Sequence, residues 1–235
     1  MLLRSCSTHN NQKKCVQCPG IPWITPIITV LIILASLEPL SAASREIEPP
    51  RGWKPVLSLQ EIRSVGVVRQ KWDISCGAAA LATLLTYQHG NSVTEVEIAK
   101  TMLRKTDPLR VKVRQGFSFL DLKRFVDDRG YEGTGYTELT LKDLVDMAPL
   151  IIPIEVSRYP HFVIFRGIEN DRVVLADPAF GNRTMKVPSF LDVWTAPIGF
   201  VVERRDGRPP PNKLNPKPSD LVIPLNAAVR TALLP

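Results

Sequence analysis

Beyond residue 43 the chain holds one cysteine, Cys76, and two histidines, His89 and His161. A thiol attacks as its thiolate, so it needs an imidazole base and a third group that holds that base in place. Cys76 precedes a run of small and apolar residues from Gly77 to Leu85, which predicts that it opens a buried helix. A helix N-terminus favours a thiolate through its dipole and its free N–H groups. His89 lies 13 residues further along the same helix, or about 20 Å away at the rise of an α-helix. That is out of reach, and His161 is left as the base.

His161 follows Pro160 at the head of an apolar strand that runs to a turn at Glu169-Asn170-Asp171. Pairing across this hairpin sets His161 opposite residues 177–180 within a position or two, and the returning strand ends at Asp177. A carboxylate there would hold the imidazole tautomer and stabilise the imidazolium. Gln70, six residues before Cys76, could donate its amide to an oxyanion beside the Cys76 N–H. Gly77 would let a substrate approach closely. Singly, these residues have ordinary explanations: a core cysteine, a satisfied histidine, a strand-ending Asp-Pro. The joint order Cys, His, Asp is what points to a cysteine peptidase.

The elements that must position these residues read as helices first and strands second. Cys76 to Tyr87 predicts a central helix, Thr94 to Leu103 a second, Ser118 to Gly130 a third, and Thr140 with Asp143 starts a short fourth. Leu150 to Val156, Phe162 to Ile168, Arg172 to Ala176, Thr184 to Val187 and Ile198 to Glu203 are β-branched runs bounded by turn residues. Together they predict an α+β fold with an antiparallel sheet.

Across the 235 residues, a hydrophobic content of 44% and a charged content of 23% suffice for one ordinary core. The net charge of +7 is dispersed, with no aromatic-basic interleaving and no motif for nucleic acid, so a nucleic-acid partner is not expected. Lys13 and Lys14, the apolar run Ile24 to Leu37 and Leu40-Ser41-Ala42-Ala43 have the order of a signal peptide, so residues 1–43 predict an exported protein, periplasmic or extracellular. Left uncleaved, the same segment would anchor the chain in the membrane. Residues 44–55 read as an extended lead-in, 56–204 as the folded domain, and 205–235 as a proline-rich basic tail, in which 205–220 has little folding capacity and Leu221 to Leu234 is apolar enough to dock. Cys15-x-x-Cys18 lacks a second pair, and neither a metal nor a cofactor is expected.

The stretch from Gln70 to Leu81, with Ser75-Cys76-Gly77 at its centre, resembles the Q-x-x-x-x-D-C-G-x-A-x-L signature of the bacteriocin-processing, double-glycine-leader peptidases. Pro160-His161-Phe162 resembles that family's histidine strand, and Asp177-Pro178-Ala179-Phe180-Gly181 its D-P-x-x-G turn. Phe190 to Trp194 is similar to its late helix. The resemblance implies a papain-like fold over roughly 65–204, with Cys76, His161 and Asp177 as triad, Gln70 in the oxyanion hole and a peptide or protein as substrate. Ser75 stands where the family usually carries aspartate. The best-known members of that family are cytoplasmic domains fused to exporters, so the substrate of an exported chain is open to two further readings. One is a cell-wall peptide hydrolase, and the other a non-catalytic peptide-binding module on the same fold.

Overall fold

The structure, a computed structural model, describes residues 57–221. The expected leader, the lead-in and the chain beyond 221 lie outside the described residues. Five helices come first: α1 (Leu59–Ser64), α2 (Cys76–Thr83), α3 (Glu95–Lys105), α4 (Pro108–Val113) and α5 (Phe119–Asp127). Strand β1 (Tyr131–Tyr136) and helix α6 (Leu141–Asp146) lead into β2 (Leu150–Val156), β3 (Tyr159–Glu169), β4 (Arg172–Asp177) and β5 (Gly181–Lys186). Helix α7 (Val187–Val193) and strand β6 (Gly199–Arg204) follow. The six strands form one antiparallel sheet in the order β1-β6-β2-β3-β4-β5. This is the expected α+β architecture, helices before sheet.

Local chemistry explains the helix starts. Ser118 with Asp121 and Thr140 with Asp143 close reciprocal capping boxes at α5 and α6, and Ser58 with Glu61 does so at α1. α2 is all buried and built of small residues, so its backbone can lie close to the sheet. Its last turn widens to a π-helix over Leu84–Gln88. One core lies between the sheet and the early helices, centred on Leu81, Leu85, Ile98, Phe125, Ile164 and Phe200. A second lies on the opposite sheet face, where Phe165, Phe190 and Trp194 pack under α6 and α7.

Two expectations need correction. Folding does not stop at 204: residues 205–221 form a strap that packs on the domain. Leu214 is buried in the helix-side core, Asn212 accepts from Gln88 Nε2 at 2.6 Å, and the Lys213 N–H donates to Tyr87 O. The prolines that suggested an idle linker are packing groups here, Pro211 against Gly90 and Pro216 against Gly167. The sequence reading also omits β1, whose Gly133 and Gly135 weaken the strand signal. Gly133 is required there, since a Cβ would come within 2.6 Å of the Phe200 ring.

Candidate active site

Cys76 is the first residue of α2 and is buried. The start of that helix abuts the start of β3: a Cβ on Gly77 would meet the Phe162 ring at 3.1 Å. Gly77 is thus buried against the residue after His161, and its lack of a side chain serves helix–strand approach.

His161 Nε2 lies 2.8 Å from Asp177 Oδ1, and Asp177 is fully buried. The other ring nitrogen, Nδ1, is therefore the one left for the thiol. Asp177 Oδ1 also accepts the N–H groups of Ala179 and Phe180, and Oδ2 accepts from Arg183 at 3.2 Å. Burial by itself would push the Asp177 pKa up, yet the His161 hydrogen bond and charge, with the two backbone N–H groups, hold it below the usual carboxylate value. Burial likewise opposes protonation of His161. The hydrogen bonds and charges of Asp177 and Cys76 outweigh it and raise the imidazole from 6.5 to about 9. A group so poised holds a proton beside the thiol at neutral pH.

The loop before Cys76 is clamped from both sides. The Gln70 N–H donates to Pro178 O at 2.9 Å, and the Arg69 guanidinium reaches Pro178 O and Ala179 O. Gln70 is thereby tied to the turn that follows Asp177. Its side-chain Nε2 makes a long contact to Trp72 O at 3.3 Å, and its Oε1 is buried without a protein partner. On the other side, the buried Glu95 of α3 accepts from the Lys71 N–H at 2.9 Å and from the Ser75 hydroxyl.

His89 stays apart from this group. It ends the π-turn, lies edge-on to Tyr131 with ring centroids 5.2 Å apart, and burial pushes its pKa below the ordinary value. It is a buried histidine apart from Cys76, and the spacing along the helix predicts that separation. Glu95 and Arg183 were not singled out by sequence. Glu95 reads as one of two acids opening α3, and nothing local distinguishes it from Glu97, which stays at the surface. Arg183 carries no motif, although its alternation along β5 behind Asp177 is a signal a strand register could have used.

A buried cysteine at the start of a helix and a histidine–carboxylate pair on an antiparallel sheet fit a papain-like cysteine peptidase. The chain belongs to the Peptidase C39 family, whose model matches residues 64–206. Among curated relatives, the probable functional amyloid protease FapD of Pseudomonas fluorescens is 39% identical over 155 residues, covering 64% of this chain and 66% of that protein. The protein of the same name from Pseudomonas aeruginosa is 33% identical over 196 residues, covering 82% and 86%. Among solved structures, the peptidase domain of Streptococcus ComA, a bifunctional ABC transporter, matches at 22% identity and a TM-score of 0.49, over 59% of this chain and 97% of that one.

Proposed function

We propose that this cysteine peptidase works through a Cys76–His161–Asp177 triad and acts outside the cytoplasm. The Cys76 proton rests on His161 Nδ1 as a thiolate–imidazolium pair, and the thiolate attacks the scissile carbonyl carbon. The Cys76 N–H and the Gln70 amide receive the oxyanion, the latter after exchanging its long contact with Trp72 O. His161 then protonates the leaving amine, and water hydrolyses the thioester as His161 takes up its proton. The observation that carries this reading is the 2.8 Å contact between His161 and the buried Asp177.

The Lys13–Ala43 segment supports export. The relatives' naming as functional amyloid proteases makes a functional amyloid protein the first substrate to offer, beside peptides carrying a Gly-Gly pair. The test is turnover of such substrates by the wild type, Cys76→Ala, His161→Ala and His89→Ala. Loss in the first two variants with full activity in the third is expected. An inactive His89→Ala beside an active His161→Ala would refute the assignment, and a wild type that binds peptides without cleaving them would favour a binding module.

A further inference from the structure

The hairpin β3–β4 changes register halfway along. Next to its turn Glu169 pairs with Arg172, Ile168 with Val173 and Gly167 with Val174; past residue 166, Phe165 pairs with Leu175 and Ile164 with Ala176. Arg166 is the extra residue of a β-bulge. Its consequence is one of parity. Had the turn-proximal register continued, Asp177 would fall opposite Ile164, and its side chain would leave the sheet on the face opposite to His161. With the bulge, the ladder carried on by one residue sets Asp177 opposite Val163, a diagonal neighbour of His161 on the same face. The 2.8 Å contact joins two side chains that this parity places on one face.

A bulge needs something to hold it, and here that is the strap. Arg166 is 6% exposed and donates to Leu214 O at 2.7 Å, to Asn215 O at 3.2 Å, and to both carboxylate oxygens of Asp220. It also reaches Asn182 Oδ1 on β5. The next residue, Gly167, has φ +143°, and a Cβ there would strike Pro216 Cγ at 2.6 Å, so the strap lies directly on the bulged backbone. An arginine desolvated to this extent is kept only where its donors are matched, and four of its five partners sit on 214–220.

We infer that Arg166 and the 205–221 strap are positioning elements for the active site, holding the bulge that brings His161 onto the face of Asp177. This rests on the triad reading given above, but its first readout does not. In the full chain, the His161 ring is titrated by NMR in wild type, Arg166→Met and Asp220→Asn, with circular dichroism as the folding control. The groups that face His161 are Asp177 on β4 and Cys76 on α2, with Arg183 of β5 behind the carboxylate; all three are kept. Arg166→Met is expected to lower the His161 titration toward that of a free histidine, and Asp220→Asn to lower it by less. Peptide turnover should fall in kcat with KM nearly unchanged, on the order of 10²-fold for Arg166→Met, the scale of a catalytic group displaced by about an ångström. A charge exchange, Arg166→Asp with Asp220→Arg, should not rescue, because the guanidinium also serves two carbonyls.

A folded Arg166→Met with the wild-type His161 titration and turnover overturns the inference. Should Arg166→Met fail to fold, a wild-type titration in Asp220→Asn overturns it equally. A wild type that cleaves nothing while its His161 titration still falls in Arg166→Met would sink the triad reading and leave the positioning role standing.

Discussion

The Ser75 hydroxyl donates to the carboxylate of Glu95, a residue from a different helix, directly ahead of the nucleophile. Where the related signature carries an aspartate before its cysteine, this chain brings the acid in from α3. Glu95 also takes the Lys71 N–H, so one buried carboxylate fixes both ends of the loop carrying Trp72 and Asp73. Glu95→Ala strands the Lys71 N–H, while the Ser75 hydroxyl keeps Trp72 O as an acceptor at 2.7 Å, and should cost about 1–3 kcal/mol of stability together with a loss of kcat. Glu95→Gln keeps an acceptor and should recover most of the stability. Moving the acid back, Ser75→Asp with Glu95→Gln, should be more active than Ser75→Asp alone, in which two carboxylates share one dry site. Urea melts and steady-state kinetics on the four proteins check this.

Gln70 and Arg183 should separate binding from chemistry. Gln70→Ala removes one oxyanion donor and should lower kcat by ~10²–10³ with KM little changed. Arg183→Gln leaves Asp177 its contacts with His161 and two N–H groups, so its activity should fall between that of wild type and Asp177→Asn. An Arg183→Gln protein as impaired as Asp177→Asn would mean that the guanidinium, rather than the backbone, orients the carboxylate.

The raised His161 pKa sets the pH dependence of stability. Its folded value, about 9, exceeds its ordinary 6.5. Its contribution is therefore complete below pH ~6.5 and is lost as pH rises through about 9. Asp177 has the opposite sign: its folded pKa lies below 3.8, so its contribution is present above that value and fades as the medium is acidified further. Thermal midpoints measured from pH 6 to 10 should fall more steeply in wild type than in His161→Gln. Alkylating Cys76 removes one of the groups that raise His161, and should move that decline to lower pH.

Thiol reactivity gives an independent check on Cys76. In the folded protein iodoacetamide should modify it and abolish turnover, and His161→Ala should slow that modification. Labelling that requires unfolding would mark a structural cysteine.

The chemistry was more legible in sequence than the scaffold was. Cys76, His161 and Asp177 could be joined because one cysteine, one reachable histidine and one hairpin leave few arrangements. The hairpin argument reached the right pair without the right register, since nothing in Phe165-Arg166-Gly167 announces an inserted residue; a glycine beside an arginine in an apolar strand is the faint trace. Glu95 was invisible because its role depends on how α3 packs beside α2. The strap was misread because proline-rich composition reports low folding capacity on its own, whereas Leu214 and Pro216 find surfaces already formed.

The strand order has a bearing on when in its life the peptidase can work. The last strand among the described residues, β6, lies inside the sheet between the earlier β1 and β2. A chain growing from its N-terminus has Cys76, His161 and Asp177 in hand while the middle of the sheet is still open, and the residues that clasp Arg166 come later still. Contacts of such long sequence separation form slowly. A partly synthesised chain therefore carries Cys76, His161 and Asp177 before β6 and the strap have taken their places. The order of the chain thus separates the making of these three residues from the making of the frame that aligns them.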